Sequence, residues 1–397
     1  MPYDFTTMLD RRGRDSVAAN HIPIPAAAVR EGVTPIPMWI ADMSFPVAPR
    51  ILEAMQRRLD FPSLGYFPMP QAWYDAVIGW QRRRNGVEGL CAEHVGYENG
   101  VLGGVSAAIQ LLTAPGEKIL LHAPTYVGFT HVLESTGRVA LHSPLRRDAG
   151  GIWRMDFEDM ERKLREERIH LAIFCSPHNP TGRVWERWEL ARAMALFAKY
   201  DCRVISDEIW SDIVMPGYRH IPTQSVSEDA KRRTLAFYAP SKTFSLAGLV
   251  GSYHIVYDDA LRDGLRRRSA LSHYNSPNVL SVYALIAAYN ECEDWADEMC
   301  RVVDDNFALA CGHIEKYWPG VTLMRPQGTF MIFPDCGAWC DAAALPFGEL
   351  LRRGVEAGVV WQNGEDFFGE RCIRMNLALP TAALEEALRR LDGVFKT

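Results

Sequence analysis

The nine cysteines of this 397-residue chain contain no Cys-x-x-Cys pair, so neither a zinc knuckle nor a thioredoxin-like redox motif is written into it. The nearest approach, Cys336-Gly-Ala-Trp-Cys340, has the wrong spacing for a knuckle and no partner pair follows, so these two read as core thiols. Eleven histidines include no His-Glu-x-x-His, and nothing argues for a metal. No apolar run approaches the roughly 18 residues of a spanning helix, which excludes a membrane protein of that kind. Arg11-Arg12, Arg82 to Arg84 and Arg266 to Arg268 are short basic clusters interleaved with acids, and the net charge is only −6. They read as solvated helix faces and not as a nucleic-acid footprint. The odd cysteine count and an opening Met-Pro-Tyr-Asp-Phe, without basic leader or apolar core, point to the reducing cytoplasm.

What is present is ordinary globular composition, 48% hydrophobic and 23% charged. The length suits one large and one smaller domain, because single cores stop growing near ~250–300 residues. Seven β-like runs follow one another: His94 to Glu98, Lys118 to His122, Val139 to His142, His170 to Cys175, Arg203 to Ser206, Thr234 to Tyr238 and Ser252 to Tyr257. Most are separated by helical patterns such as Val105 to Leu112, Phe157 to Glu167 and Glu186 to Lys199. Such alternation predicts an α/β fold, a mostly parallel sheet between helices, with ligand chemistry at the carboxyl ends of the strands. A long helical pattern from Val279 towards Tyr317 opens a smaller α+β region. Its expected strands are Thr329 to Pro334, Val359 to Gln362 and Cys372 to Leu377, with helices at Phe347 to Ala357 and Ala382 to Leu391. The expected division is a proline-rich extended arm over 1–45, packing on the small domain or a neighbour, a large domain over 46–280 and a small one over 281–397.

Three polar segments fall at expected strand ends: Ser176-Pro-His-Asn-Pro-Thr-Gly182, Ser206-Asp207-Glu208 and Ala239-Pro-Ser-Lys-Thr-Phe244. A buried carboxylate, a lysine in a tight polar turn and an asparagine on one sheet edge are the parts needed to hold a pyridine aldehyde. The lysine amine attacks the aldehyde, which a lowered pKa would favour over the ordinary ~10.4. The carboxylate keeps the ring nitrogen protonated and the ring an electron sink.

In order and spacing these segments, with Arg374-Met-Asn376 near the end, resemble the aminotransferase class I/II superfamily of pyridoxal-phosphate (PLP) enzymes, fold type I, over nearly the whole chain. The resemblance implies that Lys242 holds the cofactor as a Schiff base, Asp207 pairs with the ring nitrogen and Asn179 bonds the ring hydroxyl. It also implies that Tyr126 stacks on the ring. Gly100-Val101-Leu102 matches the family's phosphate turn at a helix start, with Ser241 as a further phosphate donor. Arg374 matches the arginine that grips a substrate carboxylate with its planar fork.

Asp10 to Val17, Pro37 to Phe45, Gly65-Tyr66, Pro177 to Trp185 and Ala239 to Gly248 are similar to the cystathionine β-lyase branch, the MalY/PatB group of carbon–sulfur lyases. That likeness implies a homodimer with shared active sites, in which Tyr66 reaches the partner's cofactor phosphate, and it places Asp42 with Asn179 and Arg374 among the contacts to an amino-acid substrate. Three positions depart from the pattern. Val250 stands eight residues after Lys242, where transaminases carry arginine and the lyases a polar residue. Trp210, among the expected cofactor contacts, replaces a tyrosine or histidine and cannot accept a proton. Ser44 replaces an aspartate. The implied reaction is β-elimination: Arg374 holds the carboxylate of an L-amino acid with sulfur on its β-carbon, Lys242 removes the α-proton, the thiolate leaves, and pyruvate and ammonia follow. Transamination would use the same residues and is the alternative. A purely regulatory scaffold would have no need of Lys242, Asp207 and Arg374.

Overall fold

The computed structural model describes residues 3–396. Met1 and Pro2, the first residues of the expected arm, and Thr397 lie outside the described residues. All seven β-like runs form strands of one sheet: β1 (Val95–Asn99), β2 (Lys118–Ala123), β3 (Val139–Pro144), β4 (Leu171–Cys175), β5 (Arg203–Asp207), β6 (Thr234–Tyr238) and β7 (Gly251–Ile255). Their order is β1-β7-β6-β5-β4-β2-β3. Only β7 runs antiparallel to its neighbours, β1 and β6. The remaining pairs are parallel.

Strands β4 and β6 are buried along their whole length, as strands covered on both faces must be. Alternate residues supply the two faces. Ile119, Leu121, Ile173, Ile205 and Phe237 pack with Val105 and Ile109 of the helix Val101–Leu112 and Leu265 of the helix Asp259–Ser272. Leu120, Ala172, Phe174 and Val204 pack instead with Met160, Leu190 and Phe197 of the helices Phe157–Glu166 and Arg187–Lys199. This arrangement sends the carboxyl ends of β1, β2, β4, β5 and β6 to one edge, beside the β2/β4 junction where the chain reverses its direction of travel across the sheet.

The continuous helical pattern expected after Val279 is two helices, Val279–Glu291 and Glu293–Tyr317. Cys292 leaves helical geometry at φ −125, ψ 23, and past that break Trp295 packs between Phe5 and Phe244. The small region's strands are shorter than the sequence suggests. Thr329 has a φ of +65, which a β-branched residue adopts only under strain and which no strand accommodates, so pairing is limited to Met331–Ile332. The run through Gln362 is divided at buried Trp361. Val359–Val360 pairs with Ile36–Pro37 of the N-terminal segment, and Gln362–Asn363 pairs with Ile373–Asn376. Phe5, Ile24, Ile36 and Met38 are buried in the same core as these elements, so residues 5–38 are an integral layer of the fold.

Strand Ile373–Asn376 carries Arg374, and the chain leaving it is clamped by Asn306. This fully buried side chain donates from Nδ2 to the carbonyls of Leu377 (2.9 Å) and Leu379 (2.8 Å) and accepts from Thr381 Oγ1 (2.8 Å). Asn306→Ala should cost about 1–3 kcal/mol, the price of leaving buried polar groups unsatisfied. Urea unfolding of the cofactor-free protein measures it, and a loss under about 0.5 kcal/mol, the scale of an inert surface change, would show that the clamp is dispensable.

Candidate active site

One cavity of about 210 Å³ opens at the carboxyl edge of the sheet. The segments that follow β1, β2, β4, β5 and β6 converge on it, bringing together Gly100, Val101, Leu102, Tyr126, Asn179, Asp207, Trp210, Ser241 and Lys242. Ala41, Cys175, Ile209, Ala239 and Ala247 also line the cavity without having been marked as site residues in the sequence. Cys175 and Ile209 flank the polar motifs, so the strand-end rule that located those motifs could have reached them. Ala41 comes from the N-terminal segment, and no local signal marks it.

Asp207 ends β5 and is 4% exposed. Burial pushes its carboxyl up to about 7, although the Ile209 N–H donates to Oδ1 at 3.1 Å and the Lys242 charge pulls the other way. The next residue shows how a buried carboxylate is otherwise satisfied. Burial also opposes the charge of Glu208, yet His220 (2.8 Å), Tyr238 Oη (2.7 Å), Ser206 Oγ (2.9 Å) and the Thr223 N–H (3.0 Å) hold its pKa below the ordinary value. Asp207 has been left short of partners on the side that faces the cavity, a disposition that calls for a cationic N–H there.

Lys242 sits on the short helix Pro240–Thr243, directly after β6. Its Nζ donates to the Ala41 carbonyl at 2.9 Å and lies 5.8 Å from the centre of a Trp210 ring. Burial, then the positive charge of Arg374, brings the amine down to about 8 against the opposing pull of Asp42 and Asp207. The adjacent Thr243 is tied to Asp212 Oδ2 at 2.8 Å, and Asp212 also accepts from Trp80 Nε1 at 3.0 Å. The lysine backbone is thereby fastened to the core.

Arg374 lies beside the cavity and is joined to it through Asn179. Its Nη1 donates to Asn179 Oδ1 (3.1 Å), and its Nη2 donates to the Trp39 carbonyl (3.1 Å) and Gln362 Oε1 (2.6 Å). The guanidinium stacks 4.2 Å from the centre of the Phe367 ring. Its Nε is buried without a hydrogen-bond partner, and burial lowers its pKa to about 10. A buried guanidinium with spare donors is a receptor for a carboxylate.

Tyr126 ends the loop after β2, and burial raises its pKa. A Cβ on Gly128 would stand 2.4 Å from its ring, so a glycine is required for the ring to keep this pose. At the other end of the cavity Gly100, with a φ of +78, turns the chain into the helix Val101–Leu112, whose first N–H groups have no partner within the helix. Val250 faces that end with a φ of +66 and is 49% exposed. Where a cation could have stood, the structure has an apolar, strained side chain, so an anion here would rest on the backbone N–H groups of Val101 and Leu102 and on Ser241.

Besides Arg374, which reaches the cavity only through Asn179, two expected site residues are not among its lining, Tyr66 and Asp42. Tyr66 is fully exposed at 112% of its reference area, on a segment that also exposes Phe61 and Leu64. Asp42 is ion-paired with Arg11 at 2.6 Å. Among the described residues, one group of metal-ligating type occurs, Cys91, Glu93 and His94, at the sheet edge strand's entry and apart from this cavity.

The geometry suits PLP. An anion cradle, an aromatic face, a buried carboxylate short of a cationic partner and an amine of lowered pKa surround one cavity. The comparisons agree. Residues 36–391 match the family described as aminotransferase class I and II. Cystathionine β-lyase PatB of Bacillus subtilis (strain 168) is 35% identical over 366 residues, 91% of this chain and 93% of that protein. The PLP-bound C–S lyase of Staphylococcus hominis superposes with a TM-score of 0.90 at 29% identity, covering 99% of each chain. PLP-containing cystalysin of Treponema denticola gives 0.92 at 28% identity, covering 100% of this chain and 99% of its own.

The burial of Asp207 carries a pH signature. Its folded pKa of about 7 lies above the ~3.9 of an unfolded aspartate, so its contribution to stability is complete below about pH 4 and is lost as pH rises through 7. Lys242 has the opposite sign, with a contribution lost as pH falls through about 8. In the cofactor-free protein, Asp207→Asn should therefore raise Tm at pH 8, by about 1 °C per kcal/mol recovered for a chain of this length. The gain should shrink towards pH 5. An equal Tm difference at both pH values would show that the carboxylate is not penalised by burial.

Proposed function

The chain belongs to the aminotransferase class I and II family, and we propose that within it the protein is a PLP-dependent carbon–sulfur β-lyase. The reaction is R–S–CH2–CH(NH3+)–COO− plus water giving a thiol, pyruvate and ammonium. The observation that carries this reading is the cavity lined by the lysine amine of lowered pKa, the buried Asp207 and Asn179, with Arg374 bonded to Asn179 beside it. The lyase assignment within the family is supported by the likeness to PatB and to the S. hominis C–S lyase.

The N–H groups of Val101 and Leu102 with the Ser241 hydroxyl would hold the cofactor phosphate, Asp207 the ring nitrogen, Asn179 the ring hydroxyl and Tyr126 one ring face. When bound, PLP supplies an electron sink for the pair released from the substrate α-carbon. Arg374 orients the substrate through its carboxylate. At a pKa of about 8, roughly one Lys242 amine in ten is neutral at pH 7, hundreds of times more than for an ordinary lysine near 10.4. That neutral Nζ takes the α-proton. Trp210 offers a single N–H and no acceptor, so it shapes the cavity and moves no proton. Its ring contacts Phe330 edge-on at 4.7 Å, which holds it in place.

We also propose that the protein is a cytoplasmic homodimer whose sites are shared through Tyr66. The fully exposed Tyr66, with Phe61 and Leu64 beside it, is an apolar group of the kind interfaces cover. Nine free cysteines suit a reducing compartment.

Incubating PLP-loaded protein with L-cystathionine and no keto acid should release pyruvate over many turnovers. One turnover at most, with no pyruvate, would make it an aminotransferase. For the dimer, refolding Lys242→Ala together with Tyr66→Ala, each inactive alone, should restore activity in proportion to the heterodimer formed. Proven heterodimers with no recovered activity would place Tyr66 in its own subunit's site.

A further inference from the structure

Residues 39–42 form a strap that holds both cations of the site. The Trp39 carbonyl accepts from Arg374 Nη2 at 3.1 Å, and the Ala41 carbonyl accepts from Lys242 Nζ at 2.9 Å. Asn376 Nδ2 fastens the strap from behind through the carbonyls of Ile40 (2.8 Å) and Asp42 (2.9 Å). Asp42 is therefore the chain neighbour of the cavity-lining Ala41, whose carbonyl holds the base, and its charge acts on Lys242.

The Asp42 carboxylate does not pair with Lys242 or Arg374. It pairs with Arg11 at 2.6 Å, and the two side chains keep 34% and 18% of their areas open to water. The second contact of Arg11 is weak, Nη2 to Ser44 Oγ at 3.4 Å, and a serine adds no charge. Arg11 thus meets one carboxylate where an aspartate at 44 would have supplied two. Arg11 also lines a neighbouring cavity of about 340 Å³ with Met8, Leu9, His21 and Arg390, so space adjoins the guanidinium.

We infer that Arg11 and Asp42 are a specificity pair that receives the far end of the substrate and selects thioethers whose group beyond the sulfur is itself a zwitterionic amino acid. The inference rests on the lyase reading above. The near amine and carboxylate of the substrate are consumed by the cofactor and Arg374. A second amino-acid head presents a carboxylate to Arg11 and an ammonium to Asp42, so each member of the separated pair gains a new partner. A far end with one charge leaves one member unpaired, and a far end with none leaves the pair closed and unused. Discrimination then comes from unpaired charge as much as from attraction.

The test compares kcat/KM for four substrates: S-methyl-L-cysteine, S-(2-aminoethyl)-L-cysteine, S-(2-carboxyethyl)-L-cysteine and L-cystathionine. Rates are taken relative to S-methyl-L-cysteine, which cancels any general effect of the Asp42 charge on Lys242. Asp42→Asn should lower the relative rate for cystathionine and the aminoethyl compound at least tenfold and spare the carboxyethyl one. Arg11→Gln should lower cystathionine and the carboxyethyl compound and spare the aminoethyl one. Asp42→Glu, which keeps the charge, should retain the cystathionine preference and serves as the folded control. Relative rates that move less than threefold in both variants, or that fall alike for every charged compound, would overturn the inference. If wild-type protein cleaves none of the four, the lyase reading has failed, and the pair is then judged by calorimetric binding of cystathionine to the Lys242→Ala protein. There, a tenfold weakening by Asp42→Asn supports it and an unchanged Kd refutes it.

Discussion

Charge held out of water without full compensation is the constraint around which this molecule is arranged. Asp207, Lys242 and Arg374 share one buried site, and burial shifts each towards its neutral form, to about 7, 8 and 10 respectively. A fold would ordinarily remove such a cost by pairing the groups with one another. Here Lys242 donates to a backbone carbonyl, Arg374 to an asparagine, a glutamine and a carbonyl, and Asp207 accepts from a backbone N–H. Each group is oriented yet keeps bonding capacity for a ligand, so the unfavourable electrostatics of these buried charges become binding energy for whatever completes the site.

Holding three such groups apart requires a stiff frame. The neighbouring Glu208, with four donors, and Asp212, with Trp80 and Thr243, are the fully bonded counterparts that lock the ends of β5 and the turn after β6. Trp80 in turn stacks on Tyr289 at 4.6 Å and 4°, which carries the restraint into the helix Val279–Glu291. Because β4, β5 and β6 lie side by side in the sheet, the segments carrying Asn179, Asp207 and Lys242 leave neighbouring strands, and the sheet sets their order along its edge.

The departures from the family pattern fall on the rim of this frame. Trp210 and Val250 both line the cavity, and both exchange a polar function for an apolar one. In the proposed reaction the anion cradle would consequently rely on helix-end N–H groups, whose direction the backbone sets, and proton transfer would fall to Lys242. Ser44 acts through a different route, by leaving Arg11 with a single carboxylate partner. Lys242, Asp207 and Asn179 are untouched by all three departures, which alter the walls around them.

The seven-stranded sheet was legible in the sequence because buried parallel strands need short, uniformly apolar runs, and Leu171 to Cys175 and Thr234 to Tyr238 supply them without ambiguity. Asn179, Asp207 and Lys242 were legible for a related reason: polar residues placed directly after such runs must emerge at the sheet's carboxyl edge. Helix and strand ends in the last third were less so, since the break at Cys292 and the left-handed Thr329 answer to the packing of Trp295 and of the turn, not to local propensity. What only the tertiary structure decided is the contribution of the N-terminal segment. The sequence marks residues 1–45 as extended and proline-rich, but nothing in it says that Trp39 and Ala41 will present their carbonyls to Arg374 and Lys242, or that Asp42 will turn to Arg11. Those contacts use backbone oxygens, which every residue possesses, across separations of about two hundred residues and more; a pattern of side chains can identify an acid, a base and a cation, but the chain must fold back on itself before it is settled which charges remain free to meet a ligand.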